Sequence, residues 1–389
     1  MKETKDRLTG FFRKHLLQKY KGTCVVEGFF MSMLRIFVQW CVINVIEFIV
    51  KIFWRCVKYI LKFISDIFTF VVNCAWNGRK IKKAAKLLSQ GKIVAAPTET
   101  VYGLFADATN DLAIQEIYRV KGRPSCNPLI VHVSDVEMAK EIAEFSPEAE
   151  RIANHFWEEN VGPLTIVLKN KVGTRISPLI TAGLSTVAIR CPNHKMALNL
   201  INEFGGPLAA PSANTSNSVS PTSAKMVKND LGDKIPMILD GGKCKVGLES
   251  TILDLTQSPY VILRPGGVSK EEIEEFLGEQ VLTLSETKST IIMAPGQMKK
   301  HYSPKLPLRI NAAYPVKDEA FIAFGKTGIK YDLNLSESGN LEEAAKNLFS
   351  YLKKLDNHSK HTGIAVMPIP NVGIGVAIND RLARAASSK

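Results

Sequence analysis

The sequence predicts an α/β or α+β domain on a twisted mixed sheet, followed by a smaller Rossmann-like β-α-β domain and preceded by an apolar helical extension. Three observations carry this. Short apolar and β-branched runs alternate with helical patterns between residues 79 and 280, a strand–helix–strand succession occupies the last eighty or so, and residues 25–76 are unusually apolar and aromatic. At 389 residues the chain is long enough for two domains and a tail. The expected division is an extension over 1–78, a catalytic-looking domain over 79–280, a linker over 281–305 and a C-terminal domain over 306–389.

The formal charge of +13 invites a nucleic-acid reading, but its distribution argues otherwise. Residues 1–80 hold 14 Lys and Arg against 5 Asp and Glu, leaving 36 against 32 for the other 309 residues. No stretch of the extension reaches the ~18 uncharged residues of a confident membrane span. Its charges, Glu47, Lys51, Arg55, Lys58, Lys62 and Asp66, recur at steps of three and four, which makes one narrow stripe on a helix. Two readings fit equally. The helix lies in a membrane surface, or against a partner, through residues 25–76; or the start is over-extended and translates sequence upstream of the working enzyme. A cleaved signal peptide does not fit, because the apolar region is too long and no clean small-residue site follows it. Seven scattered cysteines with no C-x-x-C pair fit reduced thiols in a cytosolic compartment, not a disulfide framework or zinc site.

After the extension, Ile81, Ala84, Ala85 and Leu88 give a helical face closed by Gly91. A buried strand over 93–96 follows, stopped by Pro97, and opens into a polar turn carrying Thr98, Glu99, Thr100 and Tyr102. Residues 111–120 read as a helix leading into K-G-R-P (121–124), and 129–133 as a strand. S-D-V-E (134–137) reads as a capping box starting a helix through Phe145, and Ser146-Pro147 starts the next. Further strands are expected over 164–168, 186–190, 208–210, 237–239, 251–255 and 260–263, with helices over 194–204 and 222–227 and another capped by Ser269 with Glu272. In the C-terminal domain the pattern gives strands over 306–310, 320–324 and 363–367, and an amphipathic helix over 341–355.

The strand ends matter most. The turn after residue 96 carries hydroxyls, a carboxylate and a phenol; K-G-R-P places Lys121 and Arg123 around a glycine, which suits a polyanion. Other runs close on Arg190, on Pro211-Ser212-Ala213-Asn214 and on Arg264-Pro265-Gly266, and one opens from Glu249-Ser250. Taken singly these are ordinary: surface charges, a core histidine at His132, turn residues bonding their own backbone. Their recurrence in one domain is what a cleft for an anionic, polar ligand requires. No P-loop and no Rossmann glycine fingerprint occurs, and no metal ligand set is assigned.

At these residues the sequence resembles the YrdC-like threonylcarbamoyl-AMP synthases of the two-domain type. The matching motifs are P-T-E-T-V-Y-G-L (97–104), K-G-R-P and N-P-L-I-V-H (121–132), G-P-L-T (162–165), S-T-V-A-I-R (185–190), A-P-S-A-N (210–214), E-S-T-I (249–252) and R-P-G (264–266). P-G-Q-M-K-K-H-Y-S-P (295–304) resembles the linker that closes over the active site, and I-N-D-R-L-A-R-A-A (378–386) the C-terminal end.

The resemblance implies a twisted open sheet around a basic concave cleft. It also implies the reaction: L-threonine, bicarbonate or CO2 and ATP give threonylcarbamoyl-AMP and pyrophosphate. That product supplies the threonylcarbamoyl group of the adenosine beside the anticodon in tRNA, which a separate transferase complex completes. By the motif match, Thr100, His132, Arg190, Ser212 and Ser250 contact threonine. Arg123, Asn127, Thr186, Asn214, Thr222, Arg264 and Ser303 contact ATP, with Lys121 and Arg123 as the catalytic pair and Mg²⁺ expected on the phosphates. Tyr302 and Ser303 act as a lid that excludes water. The implied setting is cytoplasmic, with membrane contact through the extension as the variant. Two rivals remain: the carbamoyltransferases of hydrogenase maturation, disfavoured because this chain lacks C-x-x-C pairs, and a binding module for double-stranded RNA or tRNA, weakened by the small net charge outside the extension.

Overall fold

The computed structural model describes residues 25–287, 302–316, 318–356 and 360–387. Most of the linker motif at 295–304 therefore lies outside the described residues, as does the start of the extension. The chain divides into two units, Met1–Trp76 and Asn77–Lys389. Helix α1 (Val25–Ser89) carries the apolar stretch Met31–Phe63, of mean hydropathy 1.9, which is long and apolar enough to cross a membrane and has none of that window buried. Phe37, Trp40, Phe48, Trp54 and Phe63 are all more than 60% exposed. Glu47 and Lys51 of the expected stripe sit 3.8 Å apart, one helical turn from each other.

In the second unit the elements run β1 (Val94–Pro97), β2 (Tyr102–Asp107), α2 (Asp111–Lys121), β3 (Ile130–His132), α3 (Val136–Lys140), α4 (Pro147–Ala153), β4 (Leu164–Lys169), α5 (Pro178–Thr181), β5 (Thr186–Arg190), α6 (Lys195–Phe204), β6 (Leu208–Ala209), α7 (Ala224–Leu231), β7 (Thr251–Asp254), β8 (Val261–Arg264), α8 (Lys270–Leu277) and β9 (Leu282–Thr283). The strands form one mixed nine-stranded sheet in the order β1-β2-β6-β3-β5-β4-β7-β8-β9. The expected mixed-sheet α/β fold is what the chain adopts.

Period-two alternation sorts the side chains of this sheet into two faces. Val131, Val187, Ile189, Leu164 and Ile166 point into the main core under the helices. Their neighbours Ile130, Ala188 and Val167 form a second cluster. His132 and Arg190 are in phase with Ile130 and Ala188, and β3 and β5 are paired so that His132 lies opposite Arg190. The pleat thus places both polar residues away from the main core.

Three local expectations need correction. Pro97 is itself the last residue of β1, paired with Tyr102, and not the residue after a strand over 93–96; β1 is an edge strand, where a missing N–H costs no ladder bond. The helix expected from 134 to 145 spans only Val136–Lys140, and its N-cap is Asp135, not Ser134. Glu144 N–H donates to Lys169 O at 3.0 Å and Ala143 bridges Asn170, so the chain is drawn to the end of β4. Residues 237–239 form a single bridge, Ile238 to Ala95, because Asp240-Gly241-Gly242 turns the chain away at once.

The C-terminal elements are β10 (Leu308–Arg309), β11 (Glu319–Ala323), β12 (Leu333–Asn334), α9 (Leu341–Asp356), β13 (Gly363–Val366) and α10 (Ile374–Ala386). Their four-stranded sheet is wholly parallel, in the order β10-β13-β11-β12. As expected from its spacing, α9 buries Ala344, Ala345, Leu348 and Leu352. The same core takes in Val101, Val219 and Leu248 from loops of the large sheet, together with Tyr302.

Candidate active site

The exits of β1, β3, β5, β6 and β8 converge on one small cavity of about 50 Å³. Of the residues singled out in the sequence, Thr100, His132, Arg190, Ser212 and Ser250 line it, as do Arg123 and Arg264. Lys121, Asn127, Thr186, Asn214, Thr222 and Ser303 do not.

On one wall, Thr98 Oγ1 accepts from the N–H groups of Thr100 and Val101 and donates to Val101 O at 2.7 Å, which folds the turn on itself. Arg190 then reaches across from β5: its Nη2 donates to Thr100 Oγ1 at 2.9 Å and lies 2.6 Å from Glu99 Oε1. The second contact is a charge contact rather than an aligned hydrogen bond, since neither Glu99 oxygen nor Arg190 Nε has a hydrogen-bond partner among the described residues. Tyr102 is not part of the wall. It opens β2 fully buried, with its hydroxyl donating to Gly242 O at 2.7 Å. His132 receives the edge of Phe105 and keeps Nδ1 3.3 Å from Ile130 O. Burial, then the neighbouring Arg190 charge, pushes it down to about 3, so it is a neutral imidazole near pH 7.

The K-G-R-P block divides its labour. Lys121, 3% exposed, donates Nζ–H bonds of 2.5 Å to Ser212 O and to Asn214 O. It braces the P-S-A-N loop and does not face the cavity. Burial, then the charge of Arg123, holds it well below its usual range. Arg123 does line the cavity, fixed by Nε to Asn127 O (3.1 Å) and Nη2 to Pro128 O (2.8 Å), and burial lowers it to about 10. Asn127 accordingly serves through its carbonyl. Asn214 spends its amide on Thr215 O and Ser218 O. Thr222 Oγ1 donates to Met226 Sδ at 3.5 Å, and Ser303 N–H to Asn217 O at 2.8 Å. Thr186 starts β5 four residues before Arg190, about 13 Å along the same face at ~3.3 Å per residue.

Opposite, Arg264 donates through Nη2 to Ser250 O (2.9 Å) and Ser250 Oγ (3.2 Å). Ser250 Oγ is also 2.7 Å from Thr165 Oγ1. These two strands meet tightly at Gly266, where a Cβ would stand 2.2 Å from Thr251 N, so no other residue fits. Three residues of this region carried no role in the sequence reading. Thr165 lay inside a quoted motif. Glu249 was read only as a strand entrance, yet it lines the cavity; burial opposes its charge, but Arg381 and Arg264 more than offset this and its carboxyl lies below the usual range. Arg381 lay inside the quoted C-terminal motif, but nothing local pointed to its role, because its partner is 132 residues away. Among the described residues no three His, Cys, Asp or Glu gather as a metal site.

Two family models match. Residues 86–266 match the Sua5/YciO/YrdC model described as telomere recombination, and residues 268–387 match one described as threonylcarbamoyl-AMP synthase, C-terminal domain. The threonylcarbamoyl-AMP synthase of Bacillus subtilis is 39% identical over 333 residues, covering 80% of this chain and 94% of that protein. That of Schizosaccharomyces pombe is 38% identical over 349 residues, covering 76% and 85%. The crystal structure of P. abyssi Sua5 complexed with L-threonine superposes with a TM-score of 0.72 at 37% identity, over 79% of this chain and 94% of that one.

Proposed function

This chain belongs to the Sua5/YrdC family of threonylcarbamoyl-AMP synthases, and on that premise we propose that it makes L-threonylcarbamoyl-AMP from L-threonine, bicarbonate or CO2 and ATP, releasing pyrophosphate. The observation that carries the reading is the convergence of Arg123, Arg190 and Arg264 with the hydroxyls of Thr100 and Ser250 on one cavity, in a chain whose relative of like fold was crystallised with L-threonine.

The chemistry joins two anions. The amine of threonine captures CO2, and the carbamate oxygen attacks the α-phosphorus as pyrophosphate leaves, so charge neutralisation and positioning are the main demands. Arg190, held by Glu99 and Thr100, offers its guanidinium to the threonine carboxylate. Arg123 and Arg264 serve the phosphates, and Thr186 lies along the β5 face where an extended nucleotide would run. Mg²⁺ would arrive on the nucleotide, held chiefly by phosphate oxygens. His132, neutral, is suited to accept or donate a hydrogen bond and not to carry charge. Tyr302, buried at the cavity wall, shields the adenylate from water. The division into a catalytic domain over 79–280, a linker and a C-terminal domain belongs to the same proposal.

We place the product upstream of tRNA threonylcarbamoylation, with transfer by a separate complex. The working compartment is cytoplasmic, at a membrane surface through α1. The test is to incubate the full chain with ATP, threonine and bicarbonate. Adenylate that requires all three is expected; salt-sensitive RNA binding without turnover would favour the binding-module reading instead.

A further inference from the structure

We infer that Arg381, on the C-terminal helix α10, is a positioning residue for the cleft, and that the C-terminal domain thereby sets the geometry of Ser250 and Arg264. The inference rests on the functional reading above. Arg381 has a fully buried side chain. Its Nε donates to Glu249 Oε2 at 2.9 Å, its Nη2 to Pro265 O at 2.8 Å and its Nη1 to Asp380 Oδ2 at 2.5 Å.

The first two bonds fall on the residue just before Ser250 and the residue just after Arg264. Those two cleft residues are themselves joined, Arg264 Nη2 to Ser250 O at 2.9 Å. One guanidinium therefore pins both chains from behind while they bond to each other in front. The other Glu249 oxygen is taken by Ser220 Oγ at 2.6 Å, so the carboxylate has no slack. Two further contacts fix the clamp. The guanidinium lies 5.0 Å over the ring of Tyr302, which stacks on Phe349 of α9. Gly247, three residues before Ser250, is pressed so close to α9 that a Cβ would stand 2.5 Å from Lys346 Cα.

A planar fork with donors in fixed directions can hold two acceptors from different strands at once, whereas a lysine ammonium is a point charge and cannot. A displacement of about 1 Å in reactive groups can cost roughly 10²-fold in rate.

The experiment compares the full chain with Arg381→Lys. It measures steady-state pyrophosphate release with ATP, threonine and bicarbonate, equilibrium ATP binding by calorimetry, and the thermal midpoint. At a temperature where both are folded, kcat/KM should fall at least tenfold and the Kd for ATP should rise at least tenfold. Arg309→Lys, which disturbs another arginine–glutamate pair (2.6 Å) within the C-terminal sheet, should change the thermal midpoint only. A lowered midpoint for Arg381→Lys with wild-type kcat/KM and Kd would reduce Arg381 to a structural role and overturn the inference. Should Arg381→Lys not fold, the double variant Glu249→Gln/Arg381→Met removes both buried charges together; folded with the same tenfold losses it supports the clamp, and folded with wild-type values it refutes it. If the wild-type chain makes no adenylate, the functional reading falls, and ATP binding decides the clamp alone: equal affinity in wild type and Arg381→Lys, or none in either, overturns it.

Discussion

Arg190 Nη2 lies 2.6 Å from Glu99 Oε1 and 2.9 Å from Thr100 Oγ1, so one guanidinium ties two consecutive residues of the turn after β1 to the end of β5. Both partners of the ion pair are about 95% buried. Removing one partner of such a pair leaves an uncompensated charge and costs about 3–5 kcal/mol. Glu99→Ala should lower the thermal midpoint by several degrees and weaken threonine binding at least tenfold by calorimetry. Unaltered threonine affinity would take Glu99 out of the threonine-side wall.

Arg123 is the cleft arginine anchored by its own chain, to the carbonyls of Asn127 and Pro128. Arg123→Ala should abolish ATP-dependent pyrophosphate release with threonine and bicarbonate present. Near-normal turnover would sink its assignment to the phosphates.

Lys121 ties Ser212 O to Asn214 O at 2.5 Å each. Lys121→Met should leave the buried Asn214 carbonyl without its donor, at about 1–3 kcal/mol, and Ser212 O with only the Asn214 N–H, and cut turnover at least tenfold by loosening the loop that carries Ser212. Lys121→Arg should not rescue it, because two such short contacts leave no room for a fork. Full rescue by arginine in a pyrophosphate-release assay would show that charge alone matters at this position.

The folded-state value of about 3 for His132, against roughly 6.5 in an unfolded chain, gives a signed pH dependence. Between those values the unfolded chain binds a proton that the folded chain refuses, so stability falls as pH drops from about 6.5 toward 3 and is untouched above that window. At ~1.36 kcal/mol per unit the contribution reaches at most about 5 kcal/mol at the acid end. His132→Gln should flatten the midpoint-versus-pH curve in that window; parallel curves for the two proteins would mean that the imidazole does not titrate there.

The apolar stretch Met31–Phe63 has none of its window buried. The full chain should float with anionic liposomes, and a chain beginning at Asn77 should remain in the dense fraction. Equal behaviour of the two would leave α1 without a role in membrane contact.

Much of the fold was legible because it is written in short-range chemistry. The Ser269–Glu272 capping box, the Ser146-Pro147 start and the 186–190 strand all appear where their local pattern put them. The misreadings differ in cause. The helix after Asp135 was cut short by a distant segment, the end of β4, whereas Pro97 was decided by its place at the end of an edge strand and the 237–239 run by the glycine turn that follows it.

For the cleft, the sequence by itself determined which residue types occur at strand exits, and seven of the residues assigned as contacts by its motifs line the cavity. Only the tertiary structure decided what each does there. It turned Lys121 inward onto two carbonyls, gave Glu99 to Arg190, and brought Arg381 across 132 residues to Glu249. A motif records a residue's type and its local backbone; the direction of a long charged side chain is set by whichever acceptor burial leaves within reach, and that acceptor is chosen by packing between segments far apart in the chain.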